Sequence, residues 1–131
     1  PNFITQKKIL VDSMKLDNLH HANELMNKIV LIENADPGYD WIFSKNPSGL
    51  ITKYGGVASH MSIRCAELKL PAAIGCGDIL YEQLRKATKI MLDCKNQQII
   101  VLEKEEIIII QMILVIQNTR NEYQLKSILY D

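Results

Sequence analysis

The residues best suited to chemistry lie in one stretch, Gly55-Gly56-Val57-Ala58-Ser59-His60-Met61-Ser62-Ile63-Arg64. Paired glycines allow a bend with positive φ and a close approach of backbone to a ligand. Ser59 is a good helix N-cap, and the apolar pattern after it suits a helix. His60 then falls in the first helical turn. Backbone N–H groups there lack intrahelical acceptors, and the helix dipole favours an anion. A neutral imidazole at such a point is a nucleophile near neutral pH and can accept a phosphoryl group. Lys53, just before the glycines, can steady an incoming anion or simply stand in solvent.

Other reactive types carry less. Asp36 and Asp40 flank Pro37-Gly38 and read first as turn formers, with general acid or base work as the alternative. His20 and His21 are adjacent, so they point about 100° apart on a helix and make poor joint metal ligands. Cys65, Cys76 and Cys94 are widely spaced, with no Cys-x-x-Cys. That pattern fits reduced thiols in a cytoplasmic protein better than a disulfide framework or a zinc site. Cys76 reads as a small buried hydrophobe rather than a redox sensor. No Walker-type loop and no metal-ligand cluster occurs.

The elements that must position His60 can be read on both sides of it. Residues 49–52 form a short strand running into the glycines. The helix from 60 to about 69 carries Met61, Cys65 and Leu68 on one stripe, with Ile63 and Ala66 beside it. That inward stripe leaves His60 at an exposed lip. Pro71 stops the helix, 72–74 read as a strand, and Gly75-Cys76-Gly77 as a tight turn. Asp78 caps a helix from 79 to about 86, with Leu80, Leu84 and Ala87 inward. Residues 89–94 and 98–103 pair as a hairpin around Asn96-Gln97. Upstream, 3–14 suggest a strand and turn. Asp17 or Asn18 caps a short helix bearing Leu19, Ala22, Leu25 and Met26. Residues 28–33 are a buried strand. A short helix carries Trp41 as a core anchor and ends near Asn46-Pro47.

Composition sets the class. The chain has 131 residues, 47% hydrophobic and 23% charged, enough for one domain with a real core. Fifteen basic side chains balance fifteen acidic ones, which gives no reason to propose a nucleic acid or an anionic membrane as partner. There is no signal peptide, and a start at Pro1 rather than Met suggests a piece of something longer. Residues 107–116 form an apolar run broken by Gln111, shorter than the roughly 20 residues that cross a bilayer. Its β-branched content favours a strand, as an extra edge, as a means of self-association or as the beginning of a segment that needs further sequence, with polar linkers on either side.

Beyond the first stretch come Leu70-Pro71-Ala72-Ala73-Ile74-Gly75 and Cys76-Gly77. Together these residues resemble the phosphohistidine (swivelling) domain of phosphoenolpyruvate-utilising enzymes, the synthase and dikinase branch above all. Gly55, Gly56, Ser59, His60, Leu70, Pro71, Ala72 and Gly75 match that family's pattern. Asp36-Pro37, Trp41, the strand 49–52 and Leu92-Asp93-Cys94 extend the likeness. Two positions depart from it. Ala58 stands where the family has a threonine, and Ala66 where it has an arginine. Arg64 lies two residues earlier, roughly 200° around a helix, and cannot simply take the place of that arginine.

The resemblance implies an α/β fold of the swivelling β/β/α kind, with small mixed sheets packed with helices. It implies a lead-in at 1–27, the phosphohistidine domain at 28–103 and an apolar tail at 104–131. His60 would be phosphorylated, on Nε2 in the family, and pass the group to an acceptor at another domain. Gly55, Gly56, Ser59, Arg64 and Lys53 would steady the phosphoryl oxygens, and no metal would be bound here. ATP and Mg²⁺ would belong to an ATP-grasp domain, in cis or in trans, and an acceptor-binding domain would complete a phosphotransferase of which this chain alone is inactive. The rivals are a catalytically silent docking or anion-binding remnant, suggested by Ala58 and Ala66, and a purely structural helix end. The final acceptor is not written in this domain.

Overall fold

The computed structural model describes residues 1–16, 23–102 and 104–130. His20, His21 and most of the helix expected after Asp17 lie outside them. Residues Pro1–Val101 form one compact unit and Leu102–Asp131 a second.

The first unit is built on four parallel strands: β2 (Lys8–Lys15), β3 (Ile29–Ile32), β4 (Gly49–Thr52) and β5 (Ala72–Ile74). β1 (Asn2–Ile4) pairs antiparallel with β5 at one edge. β6 (Lys89–Asp93) pairs antiparallel with β2, and β7 (Gln98–Val101) with β6, at the other. The order is β1-β5-β4-β3-β2-β6-β7, one seven-stranded mixed sheet rather than separate small ones. The α/β class expected from the sequence holds.

Alternation along the strands feeds two cores. Val30, Ile32, Leu50, Ala72 and Ile74 face one side, where they meet Met61 and Cys65 of α1 (His60–Glu67) and Ile42 of the 3₁₀ segment Pro37–Lys45. Ile29, Leu31, Ile51 and Ala73 face the other, where Tyr81 and Leu84 of α2 (Asp78–Arg85) cover them with Ile90 and Leu92. β3 to β5 are therefore buried on both faces, which explains their unbroken apolar runs. Trp41 packs half-buried against the first core, as an anchor. Within α1 the inward stripe is narrower than its sequence suggests. Met61, Ser62 and Cys65 are buried, whereas Ile63, Ala66 and Leu68 are exposed. Eight residues give too few turns to bury two stripes against one sheet face.

Two glycines join the loops at the ends of β4 and β5. Gly55 has φ of 122° and Gly75 φ of 75°, both awkward for a side chain. A Cβ on Gly75 would run into the Gly55 carbonyl oxygen, and one on Gly55 would stand 2.6 Å from the Ala35 Cβ. Buried Thr52 ties the same loops: its hydroxyl donates to the Tyr54 carbonyl at 2.8 Å and accepts from the Gly75 N–H at 2.9 Å. The two glycine motifs are thus one packed contact.

The second unit corrects the sequence expectation. Residues 107–116, expected as a strand between linkers, lie inside one long helix, α3 (Lys104–Tyr130). The stretch contains no glycine or proline to break it. Glu105 and Glu106 sit in its first turn, where acids suit the helix dipole. The helix penalty of isoleucine is only about half a kcal/mol per residue, so β-branching alone did not decide the matter. The polar segment 118–122 is helical as well, and the Thr119 hydroxyl donates to the Val115 carbonyl one turn back at 2.9 Å. Among the described residues no helix is long and apolar enough to cross a membrane.

The glycine contact can be tested by substitution. Gly75→Ala should cost about 2 kcal/mol or more, from positive φ and a backbone collision. Gly56→Ala, with nothing within 4 Å of the added atom, should stay within about 0.5 kcal/mol. Urea unfolding of both variants checks the contrast.

Candidate functional site

The loop 53–59 leaves the carboxyl end of β4, where the parallel strands all finish, and delivers the chain to α1. That edge of an open α/β sheet is where ligands bind. The loop closes tightly, since the Ser59 N–H (3.0 Å) and Ser59 hydroxyl (2.7 Å) both donate to the Gly56 carbonyl. Ser59 holds the N-cap position with extended backbone but makes no side-chain cap bond. Its hydroxyl turns back into the glycine bend instead. The Met61 N–H reaches the Ala35 carbonyl at 3.4 Å, pinning the first turn to the loop after β3. Full burial of the Met61 side chain contributes about 1.5–3 kcal/mol and fixes the helix start against the sheet. His60, the first residue of α1, is left with 35% of its side chain exposed.

The imidazole is held, not free. His60 Nε2 lies 2.8 Å from Asp40 Oδ1, and the Arg64 Nε–H donates to the same oxygen at 3.0 Å. Arg64 also donates through a terminal N–H to Glu67 Oε2 at 3.0 Å, and its guanidinium lies 5.5 Å from the centre of the Phe43 ring. Asp40 comes from the 3₁₀ segment. Asp36 caps that segment by accepting from the Gly38 N–H, and Asn46 closes it in a left-handed conformation. The hydrogen bond from His60, and then the Arg64 guanidinium, hold the Asp40 carboxyl below its ordinary value, against a partial desolvation that works the other way. Asp40 is therefore a carboxylate at neutral pH, and the ring nitrogen facing it carries a proton.

A second cluster stands at the same sheet end. Asp78, the first residue of α2, accepts from the Tyr54 hydroxyl at 3.0 Å and lies 3.3 Å from Lys53 Nζ. Tyr54 and then Lys53 lower its pKa. Desolvation works against the charge of Lys53, but Asp78 and Tyr54 outweigh it and raise the pKa. The ammonium also lies 5.3 Å from the Tyr54 ring centre and 6.0 Å from that of Tyr81. A polar depression of about 220 Å³ lies nearby, lined by Lys15, Leu16, Glu33, Tyr39 and Tyr81. Among the described residues no three His, Cys, Asp or Glu side chains converge to hold a metal.

Gly55, Gly56, Ser59, His60 and Arg64 thus come together around the start of α1. Lys53 has a different partner, Asp78. Asp78 does not cap α2, because Gly77 takes the cap position with no side-chain bond. Asp36 is the turn former the sequence suggests. Asp40 is the residue the sequence undervalued, because its proximity to Pro37-Gly38 disguised a helical position facing His60. For Arg64 a signal was present: it follows His60 by four residues, one helical turn. Cys65, Cys76 and Cys94 carry free thiols. Desolvation pushes Cys65 up to about 12 and Cys76 up to about 11.

Comparison with known proteins adds relatives to this geometry. Residues 26–97 match the family described as "PEP-utilising enzyme, mobile domain". The chain is similar to the phosphoenolpyruvate synthase of Escherichia coli (strain K12), with 31% identity over 81 residues, 58% of this chain and 10% of that protein. It is similar to the phosphoenolpyruvate synthase of Synechocystis, 37% identical over 62 residues, 47% of this chain and 8% of the relative. The phosphoenolpyruvate synthase of Neisseria meningitidis serogroup B matches at 24% over 87 residues, 66% of this chain and 10% of the relative. The chain spans about a tenth of the length of these relatives.

Two measurements check the electrostatics. Asp40 has a folded pKa below its unfolded one, so its contribution to stability is present above the ordinary value of 3.8 and disappears as pH falls through the folded value. The Tm difference between wild type and Asp40→Asn should be largest near neutral pH and close in strong acid, as read by calorimetry. At pH 8 a thiol reagent should react with Cys65 and Cys76 only slowly in the folded chain and promptly in denaturant, because few thiolates form in the fold.

Proposed function

The chain belongs to the family of PEP-utilising enzyme mobile domains, and from that membership we propose that it is the phosphoryl carrier of a phosphoenolpyruvate synthase-like phosphotransferase. His60 is the carrier. The observation that supports this most is its place: a half-exposed imidazole on the first residue of a helix, straight after the glycine bend at the carboxyl edge of the parallel strands.

In this reading a phosphoryl donor, ATP on an ATP-grasp domain or phosphoenolpyruvate, approaches that edge. The lone pair of a neutral ring nitrogen attacks phosphorus. The bond to the donor's leaving oxygen breaks, and the electron pair departs with that oxygen. Dividing one hard transfer into two through a covalent intermediate lowers each barrier. The work left to this chain is positioning and charge stabilisation. The first-turn N–H groups other than that of Met61, the Gly55-Gly56 backbone and the Arg64 guanidinium are the donors at hand for the phosphoryl oxygens. The domain then swivels to an acceptor-binding domain, in cis or in trans, and delivers the group. ATP and Mg²⁺ sit on those other domains, and the chain alone does not turn over.

A second reading is a silent docking or anion-binding remnant. Ala58 and Ala66, each lacking the family's polar side chain, favour it.

One experiment separates the two. The chain, joined or mixed with a cognate ATP-grasp domain and supplied with Mg·ATP, should take up about one acid-labile phosphate per chain. His60→Ala should lower the uptake by roughly 10³-fold or more. Equal labelling of wild type and His60→Ala would remove the carrier reading. Absence of labelling in both would support the remnant.

A further inference from the structure

The His60 ring is occupied in the resting chain, and the occupant is an anion. Asp40 Oδ1 takes both Nε2 of His60, at 2.8 Å, and the Arg64 Nε–H, at 3.0 Å. An ionised carboxylate only accepts, so the nitrogen facing it must donate. In the neutral ring the proton is then on Nε2 and the lone pair on Nδ1. A protonated nitrogen cannot attack phosphorus.

Resting on the carrier reading above, we propose that Asp40 is a reversible latch on His60. It holds Nε2 as N–H, and phosphoryl transfer to that nitrogen requires the contact to open. Opening lets the neutral ring exchange its proton through solvent, from Nε2 to Nδ1. The Nε2 lone pair then attacks phosphorus, the bond to the leaving atom breaks, and the leaving group carries off its electron pair.

The same contact supplies the cation. Arg64 lies one turn along α1 from His60 and is steadied by Glu67 and the Phe43 ring as well as by Asp40. A phosphoryl group on Nε2 would bring its negative charge to where Asp40 now sits. Like charges so close repel, and Asp40 must yield. Arg64 loses one acceptor and gains another, since phosphoryl oxygens suit a guanidinium at least as well as a carboxylate does. Asp40 is a positioning residue in this scheme: its carboxylate sets the tautomer and stores the guanidinium beside the site. It also suggests how Arg64 can serve although it does not occupy the position of Ala66.

The test needs no partner domain. Long-range ¹H–¹⁵N spectra of the imidazole at pH 8 read the tautomer directly. In the wild-type chain His60 should be held almost wholly as Nε2–H, whereas Asp40→Ala should show a larger Nδ1–H share. Phosphoramidate, a small phosphoryl donor, then labels the ring, and ³¹P spectra separate Nδ1 from Nε2 adducts. Asp40→Ala should label Nε2 about three- to tenfold faster than wild type, the weight of one net hydrogen bond. Asp40→Asn, whose amide oxygen still accepts from Nε2–H, should fall between, and it carries the test if the alanine variant does not fold. Nε2 labelling in the variants no faster than in wild type would overturn the latch, as would a mixed tautomer in wild type. Failure of the ATP-grasp domain to phosphorylate His60, with the latch behaviour intact, would instead remove the carrier function and leave the latch standing.

Discussion

The contact between the backbones of Gly55 and Gly75 is the constraint on which the rest of the site depends. The two residues lie twenty apart in sequence, one after β4 and one after β5, with α1 between them. Only bare backbone fits there, because a Cβ on Gly75 meets the Gly55 carbonyl. Thr52 fastens the same junction with its hydroxyl, and the N–H groups of Cys76 and Gly77 reach the carbonyls of Thr52 and Lys53 at 2.9 Å. The bend before His60 is thus braced from behind by the next strand. A helix that starts from a braced bend presents its first side chain in one place.

What that helix start presents is a small ionic cluster. His60, Arg64 and Glu67 come from α1, and Asp40 from the 3₁₀ segment opposite, so the cluster spans two elements on one face of the sheet. These groups are partly exposed, and such pairs contribute little to overall stability. Their importance lies in orientation. One carboxylate oxygen fixes a ring proton and a guanidinium together. Under the proposed carrier function the nucleophile must be kept from stray phosphoryl donors yet be released when its own donor docks, and a contact that costs little to open suits that demand.

The strands from 29 onward and the hairpin of β6 and β7 were legible because periodicity and turn residues agreed, whereas the order of the strands in one sheet was not. The continuous apolar runs at 29–32 and 49–52 could only be buried on both faces. The glycine bend and His60 were legible through residue types that suit few other purposes. Three features were not. Asp40 looked like a turn former because the local sequence says nothing about which element will pack beside it on the same face of the sheet. The Ser59 hydroxyl, expected to cap α1 by accepting from a first-turn N–H, donates instead to the Gly56 carbonyl, an acceptor that exists only once the glycine bend has formed. The tail was misread because β-branched residues disfavour a helix only mildly, while the absence of glycine and proline over the whole segment permits one.

If this chain carries phosphorus, the group must be found on one particular ring. Mass-spectrometric mapping at alkaline pH, after brief exposure to the donor domain and Mg·ATP, locates it without any substitution. A phosphoryl group on the peptide holding His60, lost on acid treatment, is the result this account requires. Phosphate confined to a hydroxyl residue or to another histidine, with the His60 peptide unmodified, would contradict it.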